Sequence, residues 1–271
     1  MSEYRCQNCH QPMIGKFCYQ CGEQKFDKQH RRITILFSDL FESLYSIDNR
    51  FLKSTIVFFS KPGFLAHEFC RGVRVPYVKP LSFFLIINLL YFIVSPMTDF
   101  SLPLKSQALQ PYAALVNEVV EKYLVVNDVS FEELAARYDP LSQTLAKSLV
   151  ILSVPLLLPF VWLANPSRRF YLIDHAVNAL YTYAFVLLWP MIIICFLEIL
   201  ELFDLNVSNR QGFLPALLIP YYFYIVLSQR NQYQDGWWMS SVKATVIFVG
   251  IIVSHFVYRF LQFGIVWWQI T

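Results

Sequence analysis

LSFFLIINLLYFIVSPM, running from Leu81 to Met97, holds no charged side chain. A run of this kind has no place on the surface of a water-soluble domain. It is short for the ~20 residues a bilayer span needs, and reaches that length only if Tyr77 and Val78 join it while Lys79 snorkels to the headgroups. Four further apolar runs follow: Leu145 to Ala164, Ala176 to Leu202, Phe213 to Leu227 and Ala244 to about Trp268. The run at Phe213 is the weakest, because Pro215, Pro220 and a tail of Tyr221, Tyr222 and Tyr224 also suit a re-entrant or interfacial segment. Composition agrees with the runs: of 271 residues 56% are hydrophobic and only 15% charged, against roughly 25% charged in soluble domains. The expectation is an all-α integral membrane protein with about five transmembrane helices.

The distribution of charge sets the orientation. Before Pro80 there are twelve Lys and Arg against seven acids, whereas residues 98–144 carry Lys105, Lys122 and Arg137 against seven acids. The next loop has Arg168 and Arg169, the following one Glu198, Glu201 and Asp204 with only Arg210, and the last Arg230 and Lys243. The sign alternates at every crossing, so five spans with the N-terminus cytoplasmic and the C-terminus extracytoplasmic satisfy the positive-inside rule.

Residues 33–80 read as amphipathic interfacial helices. Leu36, Phe37, Leu40, Phe41, Leu44 and Tyr45 keep a helical period, Phe51 to Ser60 forms a second stretch, and Lys61-Pro62-Gly63 breaks it before a third that ends near Arg71-Gly72. A packed soluble helix hairpin would show the same period. The segment 98–144 is long enough for its own helical structure, with Ser130-Phe131-Glu132-Glu133 as a capping box and Pro111 opening an earlier helix.

The most specific chemical signal lies at the N-terminal end. Cys6-x2-Cys9, eight residues, then Cys18-x2-Cys21 is the spacing that sets four thiolates about one zinc. Residues 1–32 show no pattern of a secretory signal peptide, so the module is expected to stay in the reducing cytoplasm, where thiols serve metals before disulfides. Gly22 suits the tight turn after the second pair, His10 occupies the matching place after the first, and Met13, Ile14 and Phe17 make a scant core. With all four positions taken by sulfur the zinc is structural, and no position stays open for water. A redox dithiol pair is the less favoured reading, since such a CxxC opens a helix in a thioredoxin-like unit. The neighbouring Lys25, Lys28, His30, Arg31 and Arg32 suit anionic lipid headgroups, or less readily nucleic acid.

Elsewhere ionisable residues are sparse. His255, with Arg259 one turn later, lies inside the fifth span, and Asp174-His175 opens the third; His175, His255 and Arg259 are therefore the candidate intramembrane polar site, with interhelical hydrogen bonding as the plainer role. Cys70 and Cys195 read as packed thiols. No phosphate-binding Gly loop, GxSxG or HExxH is present, so no catalytic residue is assigned.

Several stretches together resemble a known family of bacterial membrane proteins, the domain of unknown function number 3667. They are the two CxxC pairs with Gly15-Lys16-Phe17 and Gly22, then Arg32-Ile33-Thr34, Asp48-x2-Phe51-Leu52 and Lys61-Pro62-Gly63. The closest is Gly72-Val73-Arg74-Val75-Pro76-Tyr77-Val78-Lys79-Pro80, similar to a G-x-R-x-x-Y-x-x-P signature. His175 resembles a family His, while Tyr181 stands where a second is expected. The resemblance implies a bacterial inner-membrane protein with a cytoplasmic zinc ribbon, but no function. It also marks Arg71, Arg74, Tyr77 and Lys79 as membrane-interface anchors, with Pro80 starting the first span.

The leading functional expectation is a non-enzymatic scaffold or adaptor, touching membrane lipids and binding a cytoplasmic protein through the ribbon. A transporter of a small solute or lipid, with a path near His255 and His175, is the alternative. An intramembrane lipid-modifying enzyme comes third.

Overall fold

The computed structural model describes residues 5–25, 49–94, 102–167, 169–203 and 214–271. The expected helix from Ile33 to Tyr45, the basic run Lys28 to Arg32, and the 204–213 loop with Asp204 and Arg210 lie outside the described residues, as do Arg168 and the side chain of Lys147. Among the described residues there is no strand, only isolated bridges near the cysteines. The helices are α1 (Asn49–Ser60), α2 (Phe64–Arg71), α3 (Pro80–Val94), the single turn α4 (Leu104–Gln107), α5 (Ala113–Asn127), α6 (Phe131–Leu149), α7 (Ser153–Ala164), α8 (Leu172–Leu202), α9 (Leu214–Tyr233) and α10 (Trp237–Ile270). The chain is therefore all-helical with a cysteine cluster near its start.

Two helices are long and apolar enough to cross a membrane, Leu172–Leu200 and Trp237–Ile270. The number rises to three if α6 and α7, bent by 60° around a short 3-10 turn, count as one span. This is a membrane protein by that measure. Five spans are a finer claim than these lengths carry: α3 has 15 residues, about 22 Å of helix, and α9 spends its last turns on Ser228, Gln229, Arg230, Asn231 and Gln232.

Packing turns these helices into one bundle. α8 lies against α3, α7 and α9, and α10 closes the ring by packing on α7 and α9. Gly250 makes the α7–α10 approach possible, because a Cβ there would sit 2.5 Å from the Phe160 side chain. The end of α7, the start of α8, the end of α9 and the start of α10 meet through hydrogen bonds at one end of the bundle, here called the polar end. At the opposite, capped end α5 and α6 cover the last turns of α10, with Tyr123 against Trp267 and Tyr138 against Phe263. The capping box is present, Glu133 N–H donating to the Ser130 hydroxyl while Glu133 accepts from the Ser130 N–H. Pro80 opens α3 as expected.

The amphipathic α1 and α2 are more than surface helices. Phe58 of α1 is 2% exposed and lies within 5.0–6.1 Å of the rings of Phe83, Tyr181, Phe185 and Tyr224. The other face of α1, with Leu52 and Ile56, stays exposed. Helical period alone cannot tell a bilayer surface from a groove in the protein's own bundle, and here one face of α1 fills such a groove. Lys61-Pro62-Gly63 forms the tight turn between them. The Pro62 carbonyl accepts from the Asn231 side chain at 2.7 Å. Gly63 has φ +80°, and a Cβ on it would fall 2.4 Å from the Ser228 carbonyl oxygen. Only glycine lets this turn rest directly on the backbone of α9.

Candidate functional site

Cys6, Cys9, Cys18 and Cys21 bring their sulfurs within 4.8 Å of one another. Cys6 and Cys21 are 3.6 Å apart and Cys9 and Cys18 3.4 Å, close to the edge of about 3.8 Å that four sulfurs make at 2.3 Å from one zinc ion. The four cysteines can hold a metal ion, and soft tetrahedral sulfur is the donor set that fits zinc.

Two matching knuckles build the site. In the first, Cys6 N–H donates to the Gln11 carbonyl and His10 N–H to the Cys6 carbonyl; in the second, Cys18 N–H donates to Glu23 and Gly22 N–H to Cys18. His10 and Gly22 both take the left-handed conformation, φ +60° and +73°. Burial raises the Cys18 thiol, but the backbone N–H groups of Cys21 and Gln20, with the neighbouring thiols, outweigh it and bring it down to about 7. Cys9 is helped down by its backbone bond with Gln11 yet pushed up to about 12 by burial and the surrounding thiols. Ion capture therefore displaces protons.

The expected core of this module is absent. Ile14 is 98% and Phe17 62% exposed, Met13 is half-buried, and Tyr19 joins the exposed face. So few residues fold inward around their sulfurs, and among the described residues no second layer covers these apolar side chains.

What fastens the module is Glu23, which sequence reading missed. It is 2% exposed, and its Oε2 accepts from the backbone N–H groups of both Arg74 and Val75, each at 3.0 Å. The loop from Gly72 to Lys79 is thus a seat for the cysteine module. Around it, Arg74 lies 4.7 Å from the Phe69 ring centroid, Tyr77 meets Phe64 edge-on and Lys53 Nζ lies 5.2 Å from its ring, Arg71 pairs with Glu68 at 2.8 Å, and Lys79 is half-buried. Arg74 and Tyr77 fold back onto α2.

The three residues expected to form one intramembrane site divide into two places. His255 Nε2 accepts from Arg259 Nε at 2.8 Å. His175 is at the polar end, its Nδ1 2.9 Å from the Tyr233 hydroxyl. Lys243 sits beside that ring, and His255 lies twelve residues further along α10, about 18 Å of helix. Helical spacing alone brings His255 to Arg259, whereas packing brings His175 to α9. Cys70 is half-buried, but Cys195 is exposed on α8 rather than packed.

The polar end holds a directed chain of hydrogen bonds. Lys243 Nζ bonds Asp235 at 2.6 Å and donates to Asn165 Oδ1 at 2.9 Å. Asn165 Nδ2 donates to Gln229 Oε1 at 2.9 Å, Gln229 Nε2 to Asn178 Oδ1 at 3.2 Å, Asn178 Nδ2 to Gln232 Oε1 at 2.6 Å, and Gln232 Nε2 to the Asp174 carbonyl at 2.9 Å. Each amide accepts on oxygen and donates on nitrogen, so the bonds polarise in one direction away from the ammonium. Amides do not titrate, and the chain's work is to lock α8, α9 and α10 and the end of α7 at one level. Asn178 with Thr182, and Ser228 with Gln232, are polar pairs four apart in apolar helices; that spacing was the available signal.

Neither a curated protein nor a solved structure matches the chain. Residues 48–92, which hold α1, the Lys61-Pro62-Gly63 turn, α2, the seat for the module and nearly all of α3, match the family model described as "Protein of unknown function (DUF3667)", the family the residues resemble.

Proposed function

We propose that this protein is a non-enzymatic scaffold of the bacterial inner membrane, whose zinc-bound cysteine module recruits a cytoplasmic protein. The observation that carries the reading is the pairing of a buried anchor with an exposed face: Glu23 ties the module to the loop before α3, while Ile14, Phe17 and Tyr19 face outward. Exposed aromatic and aliphatic side chains on a rigid small module are what a partner's pocket fills. Four sulfurs complete the coordination of zinc, so the ion serves shape.

In this reading α3, the α6–α7 pair, α8, α9 and α10 cross the membrane in alternation, with the polar end cytoplasmic. The antiparallel packing and the alternating loop charges support it. The aromatic cluster of Phe58, Phe83, Tyr181, Phe185 and Tyr224 fills the region where α1 meets α3, α8 and α9, and this counts against transport beside His175.

The test is a photocrosslinking residue at Phe17 in native membranes. The expected result is one protein captured there, lost in Ile14→Ser/Tyr19→Ser and lost on chelation. Crosslinks to lipid only, or capture that survives chelation, would overturn the adaptor reading.

A further inference from the structure

The amide chain does not use everything at the polar end. Beside it, where α2, the α7–α8 loop and the last turn of α9 meet, lies a cleft of about 240 Å³. His67, Cys70 and Arg71 of α2 face Arg169 and Phe170 of the loop across it, with Asp174 and Tyr233 completing the wall. Two arginines thus line one cleft from elements about a hundred residues apart in sequence.

Both have donors to spare. Arg71 gives one N–H to Glu68 at 2.8 Å, and its side chain is 44% exposed, which leaves the rest of its planar fork. Arg169 lies 5.8 Å from the Phe170 ring centroid and makes no ion pair among the described residues. Asp174, which shares the wall, is 3% exposed and its Oδ2 accepts from the Tyr171 N–H at 2.8 Å. Lys243, 5.6 Å from the Tyr233 ring centroid, is paired with Asp235 at 2.6 Å, so the cleft's positive charge comes from the two arginines. His67 has committed Nδ1–H to the Gln232 carbonyl, so Nε2 is its remaining polar atom.

Paired arginine forks are the chemistry that grips phosphate oxygens. The depth of the cleft names the two sources. Tyr171, Trp237 and Trp238 are exposed at this end, and exposed Trp and Tyr mark the level of lipid headgroups.

We propose that this cleft binds a phosphate-bearing anion, with Arg71 and Arg169 as its ligands. A phospholipid headgroup and free phosphate share this chemistry. The site is independent of the module's partner, and neither proposal needs the other.

Cys70 in the wall supplies the readout. Full-length protein in a maltoside detergent is treated with a maleimide, and labelling of Cys70 is followed by peptide mass spectrometry, with Cys195 as internal control. Three additives are compared: dioctanoyl phosphatidylglycerol, inorganic phosphate, and dioctanoylglycerol, which lacks the phosphate. Phosphatidylglycerol at about ten times its Kd should slow Cys70 labelling roughly tenfold, with no change at Cys195 and no effect of dioctanoylglycerol. Equal protection by inorganic phosphate identifies the free anion as sufficient; protection by the lipid alone identifies the headgroup. Arg71→Gln and Arg169→Gln should each raise the protecting concentration by roughly tenfold. Should either fail to fold, Arg71→Lys and Arg169→Lys keep the charge but lose the fork, and should bind more weakly than wild type. No protection by either phosphate compound, equal protection by dioctanoylglycerol, or full protection in the folded variants would overturn the proposal.

Discussion

The two ends of the bundle bury polar groups by different means. At the polar end a lysine, an aspartate and four side-chain amides, drawn from three helices and the loops after α7 and α9, form one connected chain. At the capped end the buried polar groups are neutral and bonded in short sets, each joining two neighbouring elements: Gln107 donates to the Tyr138 hydroxyl at 2.8 Å, Tyr112 donates to Gln107 at 2.9 Å, and Gln262 of α10 donates to the Ser142 carbonyl of α6 at 2.9 Å. Aromatic stacking does the rest there. The contrast teaches that the polar end is fastened by one continuous chain that starts at an ion pair, so that damage to one residue should be felt by several helices, while damage to one bond at the capped end should reach only the elements which that bond joins.

The strongest perturbation is removal of the metal. Structural zinc contributes on the order of 10 kcal/mol in modules of this kind, so chelation should unfold residues 5–25 and release the Arg74 and Val75 amides from Glu23. Hydrogen exchange at those amides should accelerate, with no change around Ser130. Equal acceleration at both ends would erase the distinction.

Gly63→Ala comes next. Its Cβ would meet Ser228 backbone atoms at 2.4–2.9 Å in a left-handed conformation, a cost of about 3 kcal/mol or more. The measurement is thermal unfolding in detergent, and the expected result is loss of the folded protein at temperatures where wild type survives. Lys243→Met should cost about 3 kcal/mol, because it strands Asp235 and Asn165, whose partner it is. Adding Asp235→Asn should recover part of the loss, and simple additivity in that double-mutant cycle would disprove the coupling.

Effects at the capped end should be smaller. Tyr138→Phe leaves Gln107 without its acceptor and should cost about 1–2 kcal/mol. Ser130→Ala removes the capping box at about 1 kcal/mol, with local exchange confined to the first turn of α6. Spread of either effect to Asn178 or Gln229 would show that the two ends are one network after all.

Where local spacing carries the geometry, the sequence sufficed. Two CxxC pairs can fold in few ways and bring four sulfurs together wherever the module sits. Ser130 and Glu133 are three residues apart, and their reciprocal bonds need nothing beyond one helical turn. The apolar runs located the bundle helices for the same reason, since helical period and charge exclusion are properties of neighbouring residues. The match at residues 48–92 was legible in Lys61-Pro62-Gly63 and the loop from Gly72 to Pro80, but not what those residues do.

That was decided by contacts between distant segments. Glu23 reaches Arg74 and Val75 across some fifty residues, Gly63 rests on Ser228, and Phe58 enters a cluster drawn from three other helices. His175 and His255, alike in sequence as lone histidines in apolar helices, part company because His175 meets Tyr233 of another helix, while His255 keeps to Arg259 one turn along its own. Periodicity says that a face will be covered, but which residue covers it depends on how the helices pack, and that is a property of the assembled bundle alone.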